Sequence, residues 1–455
     1  MGKVIVIGGG IAGLSSAWRL QQGGRDVEVL EREPVAGGRM RSERHGEFIV
    51  DRGAQFIASG YKNLHALAAE VGLADQVRPV ARVNNAILRH GQLNPADYDS
   101  PLGFLRSPLL SFTAKLRLPA LLFALWKHRR ILDPRRPELA AAIDRDDMSV
   151  FLRAAVGEEA LEYVFAPAFS STFDSAPEDL SGAFVLLVLR FLLGGFDLQS
   201  FEAGTGRLTA TLAAKLNVRT GCEVRRVDGN NEHARVVYHC DGREQEVTAD
   251  AAVIAVPGSL VSGICPRLSA AEQAFFAAVR YGRGIVVFLM TAEIPATLPY
   301  YGVAFPRREG IELYGLAVDH HKAAVAPKGA GLLNAALTTA AATRLWNQTD
   351  DVIVEHVVAN LARTPIGRLQ PIDAVVHRWD PMLPQFYAGY LHHLASFLSR
   401  RERSPRLAFA GDYLVGPYTE AALTSGLRAA SELEFLSSSP STATLPMSRF
   451  SPSPG

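Results

Sequence analysis

The sequence predicts an α/β protein: a doubly wound parallel sheet, joined to a second domain that holds a mixed β-sheet and a helical lobe. Three observations carry that prediction. The first thirty residues read as strand, glycine-rich turn, helix and second strand. Near residue 410 a short apolar strand ends in Gly-Asp and leads into another helix, so the chain returns to the same kind of unit at its far end. In between, residues 285–337 alternate strand-like runs with turns, as in an antiparallel sheet, while apolar helical stretches dominate residues 100–204.

Taken in order, Lys3 to Ile7 is a β-branched apolar run that reads as a buried parallel strand. Gly8, Gly10 and Gly13 then form G-x-G-x-x-G, and small and apolar residues from Ile11 to Leu20 recur at helical spacing. Gly8 suits the tight turn, Gly10 lets a phosphate approach the backbone, and Gly13 lets helix and strand pack closely. Ile11 and Ala12 open the helix, whose unpaired N–H groups and partial positive charge favour an anion. A second strand, Val27 to Leu30, ends at Glu31 with Arg32 beside it, where a carboxylate can accept from a ribose hydroxyl. Together these parts predict dinucleotide binding.

Residues 62–72 are expected to form an amphipathic helix and Asn84 to Leu93 a hairpin. Ser100 to Leu132 contains no acidic residue, and sets Leu, Phe and Trp126 among Arg106, Lys115, Arg117, Lys127, Arg129 and Arg130. Such a segment suits either an anionic bilayer surface or the wall of an apolar substrate cavity. Ser149 is expected to cap a helix, Ala183 to Leu193 reads as a buried helix carrying Arg190, and Ser269 with Glu272 forms a capping box. Asp241-Gly242 reads as the turn of a hairpin.

The totals narrow the function. With 455 residues, 48% hydrophobic and 20% charged, the chain can bury a large core in two or three domains. A net charge of +1 makes no case for nucleic acid. Three cysteines (Cys222, Cys240 and Cys265) lack metal-ligand spacing, so buried or incidental thiols are expected, with no metal site and no disulfide. A strand beginning at residue 3 leaves no room for a leader, and no run of eighteen apolar residues occurs. A cytoplasmic protein is expected, in contact with a membrane surface if residues 100–132 face lipid.

Gly37-Gly38-Arg39-Met40-Arg41-Ser42 resembles the second FAD-binding motif of the amine oxidase and protoporphyrinogen oxidase superfamily. In that family a Rossmann-type domain holds the cofactor, so the resemblance implies FAD contacts at Gly37, Gly38 and Arg39. Phe48 to Phe56 is similar to the strand and loop that reach the flavin, which brings in Gly53, Ala54 and Gln55. Val218 to Val227 resembles the family strand that meets adenine through its backbone, which implies that role for Val224. Gly411-Asp412 and Tyr418 to Ala430 resemble the closing motif, which implies that Asp412 accepts from ribityl hydroxyls. Thr419 is read as an N-cap, with Glu420, Ala421 and Ala422 in a first turn directed at the flavin ring. Trp379 lies in a segment, Arg378 to Tyr390, similar to the protoporphyrinogen oxidase version of the flavin-side strand.

That resemblance divides the chain into a cofactor domain of residues 1–80, 205–270 and 400–435, a substrate domain with helical lobe of 81–204 and 271–399, and a Ser/Pro-rich disordered tail of 436–455. No cysteine or histidine flanks the glycine motifs, so non-covalent FAD is implied. The implied reaction is hydride abstraction from a C–H bond of an apolar, porphyrinogen-like or polycyclic molecule, with oxygen or another acceptor reoxidising the flavin. The alternative is a flavin amine oxidase or desaturase acting on a small amine or natural-product intermediate, with Tyr390 and Tyr418 as aromatic residues facing the substrate.

Overall fold

In a computed structural model, which describes residues 2–80, 85–96 and 108–438, five parallel strands form the central sheet. They are β1 (Lys3–Ile7), β2 (Asp26–Leu30), β3 (Asn217–Arg219), β4 (Ala251–Ile254) and β5 (Leu407–Phe409), in the order β3-β2-β1-β4-β5. Register runs Lys3↔Asp26 to Ile7↔Leu30 on one side of β1 and Val4↔Ala251 to Ile7↔Ile254 on the other. The first strand is therefore central, and the chain is wound outward from it in both directions.

Alternation along these strands explains why the runs read as continuously apolar. Val4, Val6, Val27, Val29 and Val253 point to one face, where they meet helix α1 (Ile11–Gln22). Ile5, Ile7, Leu30, Ala252 and Ile254 point to the other, where they meet residues of an antiparallel sheet of strands 223–229, 234–240 and 243–249. Both faces are buried, as a parallel sheet requires.

A seven-stranded mixed sheet forms the second layer system, in the order 373–379, 284–291, 331–337, 313–318, 302–304, 85–89 and 92–96. Its pairs are antiparallel except that between 302–304 and 85–89. Helix α2 (Lys62–Glu70) packs against the last helix, while α3 (Pro119–His128), α4 (Ala166–Phe173) and α5 (Gly182–Leu192) frame the space between the two sheet systems. The last helix, α6 (Thr419–Ser438), packs along α1.

Several local expectations change. The single strand expected over 218–227 is two: Asn217–Arg219 pairs with β2, the chain turns at Gly221 (φ 67°), and Glu223–Gly229 joins the antiparallel sheet. That hairpin register sets Glu223 opposite His239 and brings Cys222 against Cys240, Cα atoms 4.4 Å apart, in a disulfide that spacing alone did not suggest. Cys265 is a buried free thiol. The helix Met148–Ala155 is capped by Asp147, while Ser149 donates to Glu178. The Ser269–Glu272 capping box is present. Arg190 is exposed. Residues 436–438 close α6, and the remainder of the expected tail lies outside the described residues, as do residues 100–107 and Asn84. Among the described residues no helix is long and apolar enough to cross a membrane.

Candidate active site

A cavity of about 1650 Å³ opens at the carboxyl ends of β1 and β2 and continues between the two sheet systems. Ligands of open α/β sheets bind at this end of the strands. Its first section is lined by Gly8, Gly10, Ile11, Ala12, Glu31, Arg32 and Val224. Gly8 has φ 102°, and a Cβ there would come within 2.7 Å of the Ala255 carbonyl oxygen. Gly10 has nothing within 4 Å of a built Cβ, so its bare Cα opens on the cavity. Gly13 is away from the lining: its Cβ would sit 1.9 Å from the Gly8 carbonyl oxygen, which makes it the close-packing glycine of helix against strand. Glu31 is buried and accepts from the backbone N–H of Gly9 (2.6 Å) and Glu33 (2.8 Å). Val224 stands on the outer strand of its three-stranded sheet, next to a bulge.

Farther in, segments from opposite ends of the sequence converge. Gly37 and Gly38 line the cavity, and the Gly37 N–H donates to the Gly9 carbonyl (2.8 Å). Arg39 donates to the Met382 carbonyl (2.6 Å) and to Asp412 (2.7 Å). Burial opposes the Arg39 charge, and Asp412 and Tyr281 more than offset it. The Ala54 N–H donates to the Arg39 carbonyl (2.8 Å), drawing Gly53 and Ala54 to the same wall. Trp379 lines it too, donating its indole N–H to the Arg52 carbonyl (3.2 Å) beneath the Arg52 guanidinium.

Expectations for Tyr390 and for the closing motif are corrected. Tyr390 does not face the cavity: it is fully buried among Phe275, Phe386 and Tyr387, and its hydroxyl donates to the Tyr413 carbonyl (2.7 Å). Glu420 turns away as well, accepting from the N–H groups of Asn63 (2.9 Å) and Leu64 (2.8 Å) and so capping α2; Ala421 is likewise off the lining. Burial pushes the Glu420 carboxyl up to about 7. Thr419 is the first residue of α6, not its cap, and the Ala422 N–H is already taken by the Tyr418 carbonyl (3.1 Å). The free first-turn N–H groups of such a helix are those of 419–421. Gly411, Asp412, Tyr418, Thr419 and Ala422 line the cavity.

Beyond this junction the walls become apolar, with Leu121, Leu125, Phe165, Phe169, Leu187 and Phe191. Tyr418 faces them and stacks on Tyr61, ring centres 5.9 Å apart and planes at 21°. Tyr61, absent from the sequence reading, therefore takes the place expected of Tyr390 as its partner. The sequence reading also misses a buried charge cluster. Lys322 pairs with Asp51 (3.0 Å) and Asp319 (3.1 Å), all three enclosed by protein. Lys322 (2.9 Å) and Asn334 (3.1 Å) both donate to the Gln55 carbonyl oxygen, while the Gln55 amide donates to the carbonyls of Asp51 (2.7 Å) and Gly53 (3.2 Å). Gln55 is thereby saturated and fixed in the wall. A lone lysine in an alanine-rich stretch carries no periodic or motif signal, so only the fold brings it here.

The lining fits an extended dinucleotide with a ring system. Gly10 is an open cradle, and among the described residues the buried Thr419 hydroxyl has no partner where the second half of the cavity begins.

The model of the flavin-containing amine oxidoreductases matches residues 11–433. The chain belongs to that family. It is a flavin-dependent oxidoreductase. Coproporphyrinogen III oxidase of Mycobacterium tuberculosis is 27% identical over 445 residues, covering 90% of this chain and 92% of that protein. Mitochondrial protoporphyrinogen oxidase of Nicotiana tabacum is 29% identical over 182 residues, or 39% of this chain and 34% of that one. Among solved structures, putrescine oxidase bound to putrescine shares the fold with a TM-score of 0.78 at 18% identity, covering 95% of this chain and 99% of that one. Cyclohexylamine oxidase of Brevibacterium oxydans gives 0.75 at 18% identity, over 95% and 99%.

Proposed function

We propose that this chain holds FAD non-covalently and oxidises an apolar, porphyrinogen-like or polycyclic substrate at a C–H bond. One observation carries the reading: the glycine-lined crevice and the aromatic chamber are one continuous cavity, so cofactor and substrate meet without crossing water. In this assignment Gly8, Gly10, Glu31 and Val224 take the adenosine and pyrophosphate half, and Gly37, Gly38, Arg39, Gly53, Ala54, Trp379, Asp412 and Ala422 take the flavin half. When bound, the flavin supplies the two-electron acceptor. The protein's share is orientation and water exclusion. The free N–H groups at the start of α6 set positive potential at the buried end, favouring the charge that reduction adds. The apolar wall orients the substrate against that end.

The Tyr61–Tyr418 stack favours this reading over a caged small amine, because the two rings touch each other and leave no slot between them. The mouth of the chamber also fits a substrate delivered from lipid. Phe112 (75% exposed), Phe123 and Trp126 project outward beside exposed Lys127, Arg129 and Arg130, while Leu121 and Leu125 of the same helix line the chamber. A bilayer surface is the proposed partner there.

The test is the absorption spectrum of purified protein, with chromatography of the flavin released by heat. Anaerobic additions of coproporphyrinogen, protoporphyrinogen and an amine panel follow. Released FAD and bleaching by a porphyrinogen are expected; flavin that precipitates with the protein, or bleaching by amines alone, overturns the reading.

A further inference from the structure

One carboxylate on the chamber wall is left without work by everything above. Asp174 follows α4 in the left-handed conformation (φ 48°, ψ 41°), which costs a residue with a side chain. Its N–H donates to the Ser170 carbonyl (2.9 Å), which fixes the turn. Asp174 lines the cavity beside Phe165, Phe169 and Phe173. Among the described residues, no hydrogen bond or ion pair reaches its carboxylate. The neighbouring Tyr314 hydroxyl is otherwise engaged, bonding Thr339 (3.0 Å).

The position within the cavity is informative. The Asp174 backbone packs against Gly282, whose N–H donates to the Leu383 carbonyl and whose carbonyl accepts from the Met382 N–H, each at 2.9 Å. The Met382 carbonyl in turn accepts from Arg39. Asp174 thus stands on the side of the chamber framed by the segment 379–383, toward the junction of Arg39 and Asp412. Asp174 is half-buried; a carboxylate beside aromatic rings without a partner is costly, and burial pushes this one up to about 7. Ser171 and Thr172 on the same wall donate their hydroxyls to the Ala168 carbonyl (3.2 and 2.8 Å), and Gln55 has no donor or acceptor to spare. A ligand N–H is the group that would satisfy Asp174.

We propose that Asp174 receives an N–H of the substrate and takes its proton as hydride leaves the neighbouring carbon. The substrate class is then a compound whose oxidised C–H carbon is bonded to, or conjugated with, an N–H, as in a pyrrolic methylene or a secondary amine. The step balances. The C–H bond breaks with its electron pair going to the flavin, the N–H bond breaks with its proton going to the Asp174 carboxylate, and the nitrogen pair closes the new double bond. The substrate loses two electrons and the flavin gains them. This assignment rests on the oxidoreductase reading above.

Two measurements on flavin-loaded protein test it, using wild type, Asp174→Asn and Asp174→Glu. In anaerobic stopped flow with coproporphyrinogen, wild-type flavin reduction is expected to rise with pH through about 7. Asp174→Asn should be at least a hundredfold slower and lose that limb, with Asp174→Glu restoring part of it. In a titration with the oxidised product coproporphyrin, which keeps pyrrolic nitrogens but undergoes no reaction, Asp174→Asn should weaken binding about tenfold. Equal binding and equal pH profiles in wild type and Asp174→Asn, with flavin content unchanged, overturn the proposal, as does a wild type that binds no tetrapyrrole. Tetrapyrrole binding that depends on Asp174 without any reduction of the flavin overturns the oxidation reading and leaves the N–H site standing.

Discussion

At the scale of single residues, the same carboxylate makes a prediction about stability. Between about pH 4 and 7 the native chain keeps a proton on Asp174 that the unfolded chain has lost. Stability therefore falls as pH rises through that window, and the deficit is complete above it. Asp174→Asn removes the deficit, so its Tm should exceed wild type by several degrees at about pH 8 and match it near pH 4. A constant offset across the range would refute the sign. Glu31 already has its partners in the N–H groups of Gly9 and Glu33. Glu31→Ala strips the acceptor from the Gly9 N–H, and should lower the flavin-to-protein ratio of purified protein several-fold; full flavin content would remove Glu31 from the cofactor site. Tyr418→Phe, which loses only the hydroxyl bond to the Pro134 carbonyl (3.2 Å), should keep its flavin. Gly8, Gly10, Gly13 and Glu31 were legible from fixed offsets in a strand–turn–helix pattern, and Gly37, Gly38, Arg39 and Asp412 from their resemblance to family motifs. Asp174, Tyr61 and Lys322 were not: their meaning comes from neighbours more than a hundred residues away, or from the absence of any neighbour.

At the scale of elements, the sequence reading was sound wherever periodicity was long and failed at boundaries. Residues 218–227 look like one strand because both halves are apolar and polar in alternation. Only the competition between two sheets splits them at Gly221. The first turn of α6 was displaced by one residue, since Thr419 reads as a cap until Tyr418 is seen to accept the Ala422 N–H. Helix α3 shows a different limit. Its sequence fits both a cavity wall and a lipid-facing surface, and the structure gives it both faces, Leu121 and Leu125 buried on the chamber side and Phe123 and Trp126 exposed. If the outward face seats on lipid, co-sedimentation with anionic vesicles should be strong at low salt. It should fall when Lys127, Arg129 and Arg130 are neutralised together, each charge contributing on the order of 1 kcal/mol. Sedimentation unchanged by the triple substitution, or equal with neutral vesicles, would show that this face does not meet an anionic surface.

At the scale of the whole molecule, the cavity belongs to no single stretch of chain. Its walls come from the turns after β1 and β2, the loop around Gly53, the strand at Val224, the segment 378–383 and the start of α6. A ligand spanning those pieces binds the native chain and not the unfolded one, so it must stabilise the assembly as RT ln(1 + [L]/Kd). Stripped of flavin and rescanned, the protein should therefore melt lower, and FAD at about a hundred times its Kd should return roughly 2.7 kcal/mol. The two halves of the cavity make the test sharper. FMN carries the ring and one phosphate but nothing for the crevice of Gly10, Glu31 and Val224, so at equal concentration it should raise Tm much less than FAD. Adenosine diphosphate, which fits only that crevice, should give a small shift of its own and compete with FAD. If FMN and FAD stabilise equally, the glycine-lined section is not holding a nucleotide, and the assignment of the first thirty residues fails with it.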